Sequence, residues 1–282
     1  MTVQMQARSS SNGQLYTWNS ASADFAGAGY PGPGLPLETA VAMRPPATIG
    51  DTGPAGTLKT IGRLTTLHSP AGLWHFDAAL TDSSGNARTL SVAAGAAVYA
   101  ELWPGYLGLD FNGTLRLSQT NAAFQIGGNL TIEVVMVLNA APNGFAFLVW
   151  GGPGETEAEN AQYQVTINAD RSMTFISEHS TGVNDTFTTA AAAVPPPGIP
   201  FHFCVTRVSN VIQFYVNGVA LGGVSSALTA PTGGGTATLI VGSNVAFSLA
   251  AAMLIGDLKI AATGLSAAQV AAEAELSIGQ LY

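Results

Sequence analysis

Three glutamates at alternate positions, Glu155-x-Glu157-x-Glu159, form the pattern in this chain that most resembles catalytic machinery. On a β-strand such positions share a face, and paired carboxylates are what cleavage of a glycosidic bond requires. Catalytic strands of that kind interleave bulky apolar residues. Here the interleaved residues are Thr156 and Ala158, Gly151-Gly152-Pro153-Gly154 precedes and Asn160 follows, so a solvated loop is expected. His68, His75, His179 and His202 have no Gly-x-Ser-x-Gly or Cys/His companion, and no His or Cys cluster has zinc spacing. Cys204 falls in a strand-like run and reads as an inert core thiol. No catalytic residue is therefore expected. Asp77, Asp82, Asn86 and Asp257 offer the oxygen ligands calcium takes, provided that the first and last strands are neighbours. The competing reading is that Asp82 and Asn86 simply build a turn. Sugar faces stack on exposed aromatic rings, and the candidates are Trp103 and Tyr106, which flank Pro104-Gly105, and Trp150, just before the Gly-rich loop. For each, core or edge packing is the alternative, and Trp74 is assigned to the core.

These residues must be positioned by short strands. From Ala71 onward, runs rich in Val, Ile, Phe, Tyr and Thr are separated by Gly, Asn, Asp and Pro clusters. Strands are expected over residues 73–76, 106–111, 114–118, 130–138, 145–150, 163–168, 173–178, 201–207, 212–216, 238–241 and 254–260. So many strands with scarcely a helix imply an all-β, two-sheet antiparallel jelly-roll sandwich. Asn168-Ala169-Asp170-Arg171-Ser172 and Val208-Ser209-Asn210 read as hairpin turns. Leu265, Ser266, Gln269 and Val270 have the spacing of a hydrophobic staple and a capping box, which predicts one C-terminal helix over residues 267–276, packed over the sandwich edge. Residues 1–68 differ in kind. Gly, Pro, Ser and Ala dominate, the Gly-X-Y triplets from Gly50 to Leu58 are too few for a collagen helix, and an extended arm is expected before a sandwich over 69–282.

Composition narrows the partners. Only 9% of residues are charged, against roughly a quarter in an average soluble domain, so part of the surface is expected to be covered by partners. With 9 basic against 17 acidic residues and no basic run, nucleic acid is not an expected partner. Met1 to Gly13 is polar, without the apolar core of a conventional secretion signal. The most apolar run, Ala246 to Ile255, is about half the length of a membrane-spanning helix, so no membrane partner is expected either.

The order of the motifs resembles the concanavalin A-like lectin superfamily, specifically its laminin-G-like and pentraxin-like domains. Leu73-Trp74-His75-Phe76-Asp77 and Asp82-Ser83-Ser84-Gly85-Asn86 are similar to the family's first strand and turn. Gly108 to Thr114 resembles the next hairpin, and Leu130-Thr131-Ile132-Glu133 a later strand. His202-Phe203-Cys204-Val205-Thr206-Arg207 with Ile212 to Gly218 resembles the central hairpin, and Ile255 to Ile260 with Leu265 to Val270 the closing strand and helix. Pro200 and Asn217 depart from the family's usual Trp and Asp. The resemblance implies that the first and last strands are neighbours, which would bring the candidate calcium ligands together. It also implies a binding domain. Joined to the charge-poor composition and the arm, it leads to the expectation of a virion structural protein of a tailed bacteriophage, in capsid decoration or the tail. Such a protein would be made in the host cytoplasm and would meet other virion subunits, or copies of itself, through the arm. Surface glycans are a further expected partner. The alternatives are a carbohydrate-binding adhesin module and a polysaccharide-cleaving enzyme.

Overall fold

The protein is described by a computed structural model that covers residues 63–103, 105–142, 162–179, 183–231, 238–243 and 252–278, and, as backbone only, residues 4–8, 15–19, 24–27, 146–153, 180 and 237. Contacts divide the chain into two compact units, residues 1–62 with 278–282, and residues 63–277. In the first, β1 (Gln4–Arg8), β2 (Leu15–Asn19) and β3 (Asp24–Gly27) form an antiparallel meander. The sequence predicts no strand there, because the alternation in Gln4-Met5-Gln6-Ala7-Arg8 is too brief to register.

The second unit is a sandwich of two antiparallel sheets. Its strands begin with β4 (Gly72–His75), β5 (Ser91–Ala94), β6 (Tyr99–Trp103), β7 (Tyr106–Asn112), β8 (Arg116–Thr120) and β9 (Leu130–Leu138). They continue with β10 (Ala146–Pro153), β11 (Tyr163–Ile167), β12 (Met173–Ser180), β13 (Val183–Thr188), β14 (Phe201–Val208) and β15 (Val211–Val216). The last are β16 (Val219–Ala220), β17 (Ala237–Val241) and β18 (Ala252–Ala261), followed by helix α1 (Ala267–Ile278). The seven-stranded sheet runs β13-β12-β11-β10-β17-β8-β5; the eight-stranded sheet runs β16-β15-β14-β9-β18-β7-β6, with β4 paired to β18.

The pleat explains which residues meet between the sheets. Along β9, Leu130, Ile132, Val134, Met136 and Leu138 enter the core with Phe201, Phe203 and Val205 of β14 and Tyr163 and Val165 of β11. Thr131, Glu133, Val135 and Val137 face the other way, yet they too are buried. The outer face of this sheet is therefore covered. Part of the cover is α1, whose entry is fixed as the spacing predicts: Ser266 N donates to Gln269 Oε1 at 2.8 Å, while Leu265 and Val270 pack with Cys204 and Tyr215. The helix lies on the sheet face and not at the sandwich edge. Both predicted hairpins form, with Ser209 and Asn210 at φ 50° and 62°, as the tight turn between β14 and β15 demands.

At the same end of β14, Arg207 is 1% exposed and reaches across the sandwich. Its guanidinium donates to the carbonyls of Gly128 and Gln162, at 2.7 and 2.9 Å, and of Ile126. Burial pushes its pKa down to about 10.

Candidate functional site

Apart from Arg207, the buried charged groups of the eight-stranded sheet gather on its outer face, and a one-residue irregularity in β18 puts Asp257 and Lys259 there. Met253 and Ile255 point into the core, so strict alternation would send Asp257 in after them. Instead the register against β9 shifts between Ile255 and Asp257. The extra residue, Gly256, turns Asp257 and Lys259 outward and returns Leu258 and Ile260 to the core. It also marks where β18 exchanges one neighbour for another, since residues before it pair with β7 and residues after it with β4.

Asp257 is 0% exposed and receives four donors. Arg63 Nη1 lies 2.7 Å and His75 Nδ1 3.0 Å from Oδ1; Leu64 N lies 2.8 Å and the Tyr106 hydroxyl 2.7 Å from Oδ2. Burial alone would raise the carboxyl's pKa, but the His75 hydrogen bond, the Arg63 charge and the Leu64 amide outweigh it and hold it below the usual carboxylate range. The same environment pushes the Tyr106 phenol far up, through burial first and the Asp257 charge second. Arg63 also donates to Gly256 O at 3.1 Å, and its guanidinium sits 4.2 Å from the centroid of the Tyr106 ring.

A second cluster lies beside the first. Lys259 Nζ is 2.8 Å from Glu273 Oε1 and 3.0 Å from Glu133 Oε2, so one ammonium is paired with two carboxylates. Glu133 Oε1 lies 3.3 Å from His202 Nε2. Burial raises the Glu133 pKa, but His202 and then Lys259 pull it below its ordinary value. Glu273 accepts in addition from the Thr65 hydroxyl at 2.8 Å and the Thr65 amide at 3.4 Å. Residues Arg63 to Thr65, assigned by the sequence to the arm, are thus donors to buried carboxylates of the sandwich, and the compact unit begins at Arg63 rather than Ser69. The signal for this network was present, since Glu133 and Lys259 each interrupt an apolar strand and a buried charge must be paired.

Neither cluster offers chemistry to a substrate. The carboxylates are spent on fixed donors beneath other chain segments, and burial lifts the nearby Cys204 thiol well above its usual range. The four candidate calcium ligands are not gathered into one set. Asp82 accepts from the amides of Leu73, Ser84 and Arg88 at 3.1, 2.8 and 2.9 Å and organises a turn; Asn86 donates to Pro70 O and Ser84 Oγ, both at 2.9 Å; Asp77 is exposed. Among the described residues no group of three or more His, Cys, Asp or Glu is placed to hold a metal ion. The first and last strands are neighbours, but Asp257 uses that adjacency to bind His75.

The aromatic candidates separate. Trp103 and Tyr106 meet with ring centroids 3.9 Å apart where β6 pairs with β7, but they are 7% and 0% exposed, so their rings pack inward instead of presenting a face to a sugar. Trp150 lies in β10, paired with Gln164 on one side and Ile240 on the other. Its position belongs to a transverse row across the seven-stranded sheet, Thr186, Ile176, Gln164, Trp150, Ile240 and Ser118. That row lies opposite the core face carrying Tyr163, Phe175 and Leu239. Toward the β13 edge this face is open and polar, with Asn184, Thr186 and Thr188 exposed and the Thr188 and Thr174 hydroxyls 3.0 Å apart. Glu155, Glu157 and Glu159 lie outside the described residues. Among the described residues no helix is long and apolar enough to cross a membrane.

No curated protein matches the chain in sequence. Among solved structures it is similar to the receptor-binding domain of botulinum neurotoxin C/D mosaic serotype, with a TM-score of 0.58 and 12% identity over 74% of this chain and 52% of that one. The binding domain of botulinum neurotoxin DC in complex with SialylT gives 0.57 and 14% over 77% and 53%. This chain thus spans about half the length of the toxin domains it matches. Domain 4 of AbnA, an extracellular arabinanase from Geobacillus stearothermophilus, in complex with arabinotriose, gives 0.58 and 16% over 73% of this chain and 98% of that one. At such identities the likeness is one of fold, and it agrees with the sandwich derived above. The superfamily's laminin G profile matches residues 111–271, more than half of the chain, and the chain belongs to the concanavalin A-like lectin/glucanases superfamily.

Proposed function

We propose that the protein is a virion structural protein of a tailed bacteriophage, in capsid decoration or the tail, whose lectin-like sandwich binds surface glycans without cleaving them. The observation that carries the binding reading is the polar β13 edge of the outer face of the seven-stranded sheet, where Asn184, Thr186 and Thr188 are exposed; Thr186 stands in the row that includes Trp150. Hydroxyl and amide groups along a strand suit the hydroxyls of an extended saccharide. Structural neighbours include a domain seen with arabinotriose and a toxin binding domain in complex with SialylT, which supports the same class of ligand. Binding is favoured over hydrolysis because Asp257, Glu133 and Glu273 are buried and engaged by fixed donors. The virion setting is supported by the 9% charge content, which suits a surface largely covered by neighbouring subunits.

A glycan array on the full-length protein tests the binding, with Asn184→Ala/Thr186→Ala and Trp150→Ala as variants. Saccharide binding lost in the variants with melting temperature unchanged is the expected result. Binding that survives all of these changes places the site elsewhere, and release of reducing ends from a bound polysaccharide overturns the non-catalytic reading. Electron microscopy of particles labelled with antibody to the protein tests the virion setting separately.

A further inference from the structure

The segment Arg63–Leu67 lies as a strap on the outer face of the eight-stranded sheet, and what receives it is built entirely by distant parts of the chain. Arg63 Nη1 donates to Asp257 Oδ1 and Gly256 O, Leu64 N donates to Asp257 Oδ2, and Thr65 donates to both oxygens of Glu273. Leu64 is buried with them. The receiving groove is supplied by β7, β18 and α1, and its carboxylates have partners of their own, His75 and Tyr106 for Asp257 and Lys259 for Glu273. It is therefore complete without the strap.

The link that folds the strap back onto its own sandwich is strained. His68 and Ser69 are consecutive non-glycine residues at φ 69° and 48°, in the left-handed region, and Pro70 follows. Such a link costs free energy only while it is bent. A strap that straightens the link and enters the identical groove of another molecule keeps every strap contact described above, gives up the Thr263 hydroxyl's bond to His68 O, and loses the strain.

We propose that the groove of Gly256, Asp257 and Glu273 accepts the Arg63–Leu67 strap of a second copy of this chain, so that the protein dimerises by reciprocal strap exchange about the His68–Ser69 hinge. This deepens the assembly part of the reading above by naming the segment and its acceptor. It does not need a particle or a glycan, so an exchanged dimer free in solution can form even if the virion setting is wrong.

Analytical ultracentrifugation of the full-length protein over a wide concentration range tests it, with two hinge variants. Ser69→Gly removes most of the left-handed penalty and touches none of the strap contacts. It is expected to weaken the dimer about fivefold for each hinge relieved, or about 25-fold for a dimer with two. Deleting His68 and Ser69 shortens the link so that the strap cannot reach its own groove, and this variant is expected to be a dimer at all concentrations, with a cooperative melt confirming that it is folded. The proposal is overturned if the wild type stays monomeric throughout, or if it dimerises and Ser69→Gly dimerises equally well. A shortened variant that is folded and monomeric overturns it as well.

Discussion

Lys259 carries the positive charge held between two buried carboxylates, Glu133 and Glu273, and cannot be lost alone. Lys259→Met would leave both acids in a desolvated site, and removing one member of a buried ion pair costs about 3–5 kcal/mol. Urea unfolding should show that loss, and a triple change of Glu133, Lys259 and Glu273 to apolar residues of similar size should recover most of it. The depressed carboxyls set the response to acid. Asp257 and Glu133 both have folded pKa values below their unfolded ones, of about 3.9 and 4.3. The stability they contribute is full above those unfolded values. Below them the unfolded state binds more protons, and stability falls as pH drops through the folded values. A melting-temperature profile should therefore be lowered on the acid side of about pH 4, and Asp257→Asn should flatten that fall; an unchanged profile in the variant would contradict the assignment. At this scale the sequence was legible in part. Asp257 could be singled out as a carboxylate in an apolar strand, but its partners Arg63 and Leu64 are 194 and 193 residues away, and no local pattern joins them to it.

Elements of the interior were readable and elements of the margin were not. The full span of β9 and the start of α1 coincide with their expected limits, because nine buried residues in a row and a capping box are strong local signals. The sandwich strands the sequence misses are β5, β6, β13 and β16, and these are the four that end the two sheets. An edge strand has one neighbour and needs few apolar residues, so Ser91-Val92-Ala93-Ala94 and Val183-Asn184-Asp185-Thr186 do not stand out from loops. The irregularity in β18 is likewise silent in sequence, though a glycine inside a strand is its ordinary marker. A Cβ at Gly256 would lie 2.3 Å from Tyr106 Cε1, within the ring that covers Asp257. Gly256→Ala is expected to destabilise by about 1–3 kcal/mol through forced displacement of Tyr106; pairing it with Tyr106→Leu should cost less than the sum of the two. Ser266→Ala removes the helix cap and should cost about 1 kcal/mol.

At the scale of the whole molecule, the boundary at Arg63 decides what a truncation can tell. Removing residues 1–60 keeps every donor to Asp257 and Glu273 and should leave a cooperatively melting domain with its melting temperature unchanged. Removing residues 1–65 strips Asp257 of Arg63 and Leu64, and a loss of about 3 kcal/mol would lower the melting temperature by roughly 6–12 °C. Calorimetry of the two truncations separates these outcomes, and equal melts would show that the strap contributes nothing. The sandwich class was legible because alternation repeats along the chain, whereas the order of strands was visible only through resemblance, since pairing across long separations leaves no trace in short windows. That order has a consequence for how the chain is made. β18, the last strand, lies in the middle of its sheet between β9 and β7. On the ribosome β9, whose nine residues all end up buried, must therefore wait for a neighbour that begins at Ala252, 114 residues after Leu138. At about 5–20 residues per second this is a delay of roughly 6–23 s, during which β9 can pair only with β14 and its other edge stands open in the nascent chain. Ribosome-bound chains that stop before Ala252 should be protease-sensitive and should recruit holdase chaperones, while chains extended past α1 become resistant in a single step.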